Sequence, residues 1–135
     1  MDEDSVAWDD SFSVGFAPID NQHKELVIMT NELFQGCKRG NTFADVAFMR
    51  TLRKTIEYAQ SHFRTEEGYM MKAAYPDLPA HQTEHIEFAA EVIKLTKKFE
   101  EDKAEPVELA RFLKAWLMNH IAVTDKRYTP YLAKL

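Results

Sequence analysis

Apolar residues recur along most of this chain at helical spacing, interrupted by a few sharp breaks. The first stretch differs. Trp8, Phe12, Val14 and Phe16 alternate with polar or small residues until Pro18, which predicts an extended arm over residues 1–18 with Trp8 packing across the domain. Leu26, Met29, Leu33 and Phe34 then follow the 3.6-residue period. Asp20 can accept the free amides of a first turn, so helix A is predicted to start there. Gly36, Lys38, Arg39 and Gly40 mark its end. Thr42, with Asp45 at the capping-box offset, predicts the start of helix B, which runs through Leu52, Ile56, Ala59 and Phe63 to about Met71. The break Tyr75-Pro76-Asp77-Leu78-Pro79 leads into helix C, with Pro79 in its first turn. Helix C carries Ile86, Ala89, Ile93 and Leu95 and ends in the charged run Lys97 to Lys103. Pro106 opens helix D, with Leu109, Phe112, Leu113, Trp116 and Leu117 on its apolar face, and Thr129-Pro130 closes it. Short loops between long helices predict an all-α, antiparallel up-down-up-down four-helix bundle over residues 20–131, within a single domain of 1–135.

Composition narrows the partners. The formal net charge is -5 and no basic stripe stands out, which argues against nucleic acid or an anionic membrane as partner. The apolar runs Leu26 to Met29 and Ala115 to Met118 are far too short to span a bilayer. The start, Met1-Asp2-Glu3-Asp4, lacks the cationic region of a secretion signal. Cys37 is a single cysteine, so no internal disulfide forms, and a reducing cytoplasm is the expected location.

The chemistry lies in the five histidines, none of which falls outside one pattern. They read His23, His62-x3-Glu66, His81-x3-His85 and His120-x4-Asp125, one element per predicted helix. Residues four apart on a helix lie about 40° apart around its axis, so His62 with Glu66, and His81 with His85, converge on one face. His120 and Asp125 are separated by five, about 140° on a regular α-helix. A π-bulge would return both to one face, and such bulges gather at functional sites. A lone i,i+4 His pair is weak evidence of metal. Four inward-facing elements that use every histidine are strong evidence.

Donor chemistry then restricts the ion. A structural zinc site takes four ligands, often thiolates. Calcium and magnesium prefer oxygen alone. Five imidazoles and two carboxylates suit two iron or manganese ions bridged by Glu66 and Asp125. If a solvent oxygen also bridges, three His complete six ligands on one ion. Two His leave the other with an open position, a place for a small ligand such as O2. Two carboxylates and a hydroxide leave two ferrous ions with net positive charge. That disfavours highly oxidised iron and favours reversible O2 capture over O–O cleavage.

The chain resembles the hemerythrins, of the stand-alone bacterial kind, from Trp8 to about Tyr131. The resemblance rests on Val14-Gly15, Ile19-Asp20-Asn21-Gln22-His23, His62-Phe63-Arg64-Thr65-Glu66-Glu67, His81-Gln82-Thr83-Glu84-His85, and Trp116-Leu117-Met118-Asn119-His120 with Asp125. It implies a non-heme centre of two iron ions with an oxo or hydroxo bridge. It further implies His81, His85 and His120 on the saturated iron, His23 and His62 on the open one, and Glu66 and Asp125 bridging. O2 is then the small-molecule ligand, and the apolar residues Val27, Phe63, Trp116, Leu117 and Ile121 surround it, with Phe63 and Leu117 lining its pocket most directly.

Three functions are compatible with this reading. The first is O2 storage, transport or delivery without turnover, to a recipient that the sequence leaves open. The second is a di-iron oxidase, peroxidase or nitric oxide-handling enzyme. Against it, the sequence offers no nucleophile, no supporting acid and no substrate cleft. The third is a sensor whose docking surface changes with oxygenation, although no signalling domain accompanies the chain.

Overall fold

A computed structural model describes residues 5–103 and 105–135. The acidic start at residues 1–4 lies outside the described residues. No strand occurs among those described, and none of their helices is long and apolar enough to cross a membrane.

Four helices carry the fold: α1 (Ala17–Lys38), α2 (Asn41–Lys72), α3 (Leu78–Glu100) and α4 (Pro106–Trp116). Beyond α4 the chain stays helical but changes winding. Leu117–Thr124 is π-helical, Asp125–Tyr128 is a 3-10 turn, and α5 (Thr129–Leu132) closes the chain. Residues 39–40, 73–77 and 101–105 join the long helices, so neighbours run antiparallel. α1 packs on α2 and α4, α2 on α3, and α3 on α4, which closes a four-helix bundle.

The arm behaves as the alternation predicts. Phe12 and Val14 are buried, and Trp8 lies edge-on to Phe12 with the Lys24 ammonium over its face. Asn31 of α1 pins the arm by accepting from Val6 N at 2.7 Å and donating to Val6 O at 2.6 Å. A short 3-10 turn, Asp10–Phe12, interrupts the extension.

Several boundaries and faces differ from the sequence expectation. Helix α1 begins three residues before Asp20, behind Phe16, because Pro18 is tolerated in a first turn where no amide is needed. Asp20 sits inside that turn, and its carboxylate reaches back to the arm, accepting from Ser13 Oγ at 2.5 Å and Val14 N at 2.9 Å. Helix α2 starts at Asn41 behind Gly40, whose φ of 109° favours glycine; neither Thr42 nor Asp45 caps it. Ile56, Ile86 and Ile93, expected inside, are 41%, 69% and 57% exposed. The inward stripe of α3 is instead His81, His85, Phe88, Val92 and Leu95. The stripe mixes polar and apolar residues, so hydropathy alone points to the wrong face. Thr129-Pro130 does not end the last helix, since Pro130 fits the first turn of α5.

The core divides into two apolar clusters. The larger gathers Leu26, Leu33, Phe48, Phe88, Leu113 and Leu117 among others. The smaller holds Val14, Ile19, Met70, Tyr75, Tyr128 and Leu132. Along α1, α2 and the helical run from α4 to α5, buried polar residues lie between the two: His23 between Ile19 and Leu26, Glu66 between Phe63 and Met70, and His120 between Leu117 and Tyr128. Burying each large apolar side chain contributes roughly 1.5–3 kcal/mol, and this flanking burial holds the polar layer in place.

Two glycines of these helices have opposite surroundings. A Cβ on Gly36 would lie 2.5 Å from Ala47 Cβ, where α1 and α2 cross, whereas one on Gly68 meets nothing within 4 Å. Alanine is favoured over glycine in a helix by about 1 kcal/mol, but overpacking costs about 1–3 kcal/mol. Thermal or denaturant unfolding should therefore show Gly68→Ala stabilised by up to about 1 kcal/mol and Gly36→Ala destabilised. Equal stabilisation of both would contradict the close crossing.

Candidate metal centre

All seven residues singled out by spacing meet in one buried layer. Glu66 and Asp125 are fully buried, and each of the five histidines is at most 4% exposed. Their atoms fall into two overlapping groups: Glu66, His81, His85, His120 and Asp125 in one, His23, His62, Glu66 and Asp125 in the other. Glu66 and Asp125 belong to both. The two sides share the carboxylates and differ by one imidazole.

Local structure aims these groups. On α2 and α3 the i,i+4 pairs share a face. Glu66 Oε2 lies 3.1 Å from His62 Nε2, and Glu66 Oε1 lies 2.8 Å and 3.1 Å from His81 and His85 Nε2. The five-residue step from His120 to Asp125 is resolved by the π-helix. Asp125 N donates to His120 O, closing an i→i+5 turn. His120 Nε2 then lies 2.9 Å from Asp125 Oδ1, as does His81 Nε2. Asp125 Oδ2 is 3.3 Å from His23 Nε2.

Of these approaches His81 Nε2 to Glu66 Oε1 is a hydrogen bond, but most of the others are poorly aligned as one. His85 Nε2, His120 Nε2 and both Asp125 oxygens are buried without a hydrogen-bond partner. His23 Nε2 and His62 Nε2 stand 3.0 Å apart, a contact two lone pairs do not make unless a proton or cation lies between. The outward ring nitrogens of three histidines are satisfied instead, while His23 Nδ1 and His81 Nδ1 are buried without a partner. His62 Nδ1 donates to Gln22 Oε1 at 2.5 Å, His85 Nδ1 to Glu67 Oε2 at 2.7 Å and His120 Nδ1 to Glu84 Oε1 at 3.3 Å. Each such bond places the proton on Nδ1 and leaves the Nε2 lone pair facing inward, the tautomer a metal ligand needs. The donor set thus fits cations, and its two overlapping groups fit two of them.

Sequence reasoning missed the residues that orient the histidines. Gln22, Glu67 and Glu84 each adjoin a singled-out residue in sequence, but each supports an imidazole on a different helix. Glu67 is itself held by Gln82 Nε2, and Thr124 Oγ1 donates to Glu84. Contrary to the sequence expectation, supporting acids are therefore present. Tyr128, also missed, donates its hydroxyl to Glu66 Oε2 at 2.8 Å. Burial, followed by the Glu66 and Asp125 charges, raises its pKa far above the usual phenol value and keeps it a donor. Tyr128 lies three residues after Asp125, an offset that could have drawn attention to it.

The five apolar residues expected around a ligand adjoin the layer. Leu117 and Ile121 are fully buried, Val27 and Phe63 nearly so, and Trp116 is half-buried. Phe63 stacks on His85 with ring centres 3.8 Å apart, and Trp116 stacks on His120 at 3.8 Å. A separate cleft of about 610 Å³, also absent from the sequence expectation, lies between α1 and α2. Gln22, Glu25, Leu26, Tyr58, Ser61 and His62 are among its walls.

The hemerythrin HHE cation binding domain matches residues 14–132. This chain belongs to the hemerythrin family. It is 38% identical to the bacteriohemerythrin of Methylococcus capsulatus, covering 90% of this chain and 89% of that one. Its identity to the myohemerythrin of Theromyzon tessulatum is 33%, with 90% and 88% covered. A crystal structure of wild-type hemerythrin superposes with a TM-score of 0.83 at 34% identity, covering 95% of this chain and 98% of that one.

The protein groups alone hold protons where cations would bind. Burial opposes charge on His23, but Asp125 and Glu66 outweigh it and raise its pKa to about 9. His81 is raised to about 9 by the same two partners against the same burial. His62 is lowered by burial. Burial also opposes ionisation of Glu66 and Asp125. Even so, the close approach of His23, His62 and His81 holds Glu66 well below the usual range, and, against the repulsion of Glu66, the close approach of His120 and then His23 lowers Asp125. Two imidazolium groups thus offset two carboxylates, and a metal must displace their protons.

The sign follows. Below pH 9, His23 and His81 of protein stripped of metal are protonated, and each must deprotonate to ligate. Titration with cobalt(II) near pH 7.5 should release about two protons per chain, and apparent affinity should rise about tenfold per pH unit for each proton released. Both effects should level off above pH 9. Proton release near zero at pH 7.5 would contradict the charge pattern.

Proposed function

We propose that this hemerythrin-family chain binds O2 reversibly at a centre of two iron ions, for storage or delivery, without turning over a substrate. His81, His85 and His120 would hold one iron and His23 and His62 the other, with Glu66 and Asp125 available to both. The observation that carries this reading is the pair of overlapping ligand groups, which share both carboxylates and differ by one imidazole. When bound, two ferrous ions supply the two electrons that O2 takes up. The two-His side, with one nitrogen fewer, is the side left for the ligand.

The chain's own residues do the rest. Gln22, Glu67 and Glu84 fix the orientation of three imidazoles, so little reorganisation accompanies ligand binding. Tyr128 stabilises the Glu66 oxygen that faces His23 and His62. Val27, Phe63, Trp116, Leu117 and Ile121 form an apolar wall that limits entry of water and protons. The names of the relatives, bacteriohemerythrin and myohemerythrin, agree with this function.

Metal analysis after anaerobic iron loading should approach two irons per chain. The loaded protein should pass through repeated cycles of oxygenation and deoxygenation, followed by its optical spectrum. One iron per chain would overturn the two-iron assignment, and sustained O2 consumption with a simple reductant would replace binding with oxidase chemistry. Leu117, fully buried three residues before His120, tests the wall. Leu117→Ala should cost about 2–5 kcal/mol of stability and speed autoxidation with two irons retained. An unchanged autoxidation rate would remove Leu117 from that role.

A further inference from the structure

Two of the five histidines have an oxidisable aromatic ring four residues earlier: Tyr58 before His62 and Trp116 before His120. The helix puts each ring against its histidine. Tyr58 stacks on His62 at 4.7 Å and 12°, and Trp116 on His120 at 3.8 Å and 10°. The two rings also meet, as Trp116 Nε1 donates to the Tyr58 hydroxyl at 3.4 Å. One continuous path, His62–Tyr58–Trp116–His120, thus joins a histidine of the two-His group to one of the three-His group.

Packing alone does not call for oxidisable rings here. The third such stack uses Phe63, parallel to His85 within 4°, and phenylalanine has no accessible one-electron oxidation. Solvent access also sets this pair apart. Tyr58 lines the cleft between α1 and α2 beside Glu25, Glu57 and Ser61, and Trp116 is half-buried. Tyr128, which hydrogen-bonds Glu66 directly, is 1% exposed and enclosed by the smaller apolar cluster. Its ring neighbours lead away from the cleft, through Tyr75 to Tyr131.

We propose that Tyr58 and Trp116 are paired electron donors that discharge to the cleft the oxidising equivalents left when hydrogen peroxide, as oxidant, reacts at the metal centre, a protective side reaction distinct from the reversible O2 binding proposed above. This rests on the two-iron reading. Reduction of one peroxide to two waters breaks its O–O bond and consumes two electrons and two protons. Each ring supplies one of each: Tyr58 from its phenol O–H, Trp116 from its indole N–H. The two neutral radicals left are restored by a thiol or ascorbate-class reductant in the cleft, which donates one electron and one proton to each. The path draws oxidising equivalents away from His62 and His120, the ligating histidines on which the two rings stack.

The test adds excess hydrogen peroxide to diferric, iron-counted protein and freezes it at intervals for electron paramagnetic resonance. Wild type should give a tyrosyl signal that narrows with ring-deuterated tyrosine and decays on adding ascorbate. Tyr58→Phe, which keeps the stacked ring, should lose most of that signal with two irons retained. Peptide mass spectrometry should then show several-fold more oxygen addition at His62 and His120. A tyrosyl signal that persists in Tyr58→Phe and disappears in Tyr128→Phe would overturn the proposal. So would the absence of any radical in wild type that binds two irons. Should wild type bind fewer than two irons, the two-iron reading fails first and this inference with it. Circular dichroism and melting of each variant separate loss of signal from loss of fold, and the isotope-labelled wild type identifies the radical without any substitution.

Discussion

Glu66 and Asp125 are carboxylates with no exposure to solvent, placed where one helical bundle buries both. Burying an ionised carboxylate without compensation costs far more than the stability of a typical domain allows. The rest of the polar layer answers that constraint. Five imidazoles surround the pair, two of them held protonated at a pKa of about 9 by the carboxylates, and Tyr128 donates to the Glu66 oxygen that also faces His23 and His62. The same arrangement that makes two protons comfortable makes two cations more so, because cations satisfy the Nε2 atoms and Asp125 oxygens that lack hydrogen-bond partners.

The bundle holds this layer from both ends. The larger apolar cluster, including Leu26, Phe63 and Leu117, lies on one side, and Ile19, Met70 and Tyr128 close the other. Interdigitated cores deform little, so four helices with apolar contacts on each side of the histidines position donors more accurately than loops could. The change from α to π winding at Leu117–Thr124 serves the same end. Without it Asp125 would turn away from His120, and the shared carboxylate would be lost.

Much of this site was legible in the sequence because helical geometry is regular. The i,i+4 spacing of His62 with Glu66 and His81 with His85 implies a common face, and the irregular step from His120 to Asp125 implies the π winding found there. The bundle was legible from the same periodicity. Where the reading failed, the cause was usually a polar residue on an inward face. His81 and His85 occupy the buried stripe of α3, so the isoleucines at 86 and 93 drew the predicted face toward solvent. Asp20 looked like a cap because a carboxylate before an apolar run often is one; here it holds the arm through Ser13 and Val14. Gln22, Glu67 and Glu84 were invisible as supports because each acts across to another helix, a relation that one-dimensional spacing does not encode.

One layer of seven side chains that shares two carboxylates between two ligand groups should hold two metal ions. Anomalous diffraction at the iron absorption edge, on crystals of anaerobically loaded protein, tests it most directly. Two resolved iron peaks are predicted between Glu66 and Asp125, one approached by the Nε2 atoms of His81, His85 and His120, the other by those of His23 and His62. A single peak, or two peaks that do not share both carboxylates, would contradict the account.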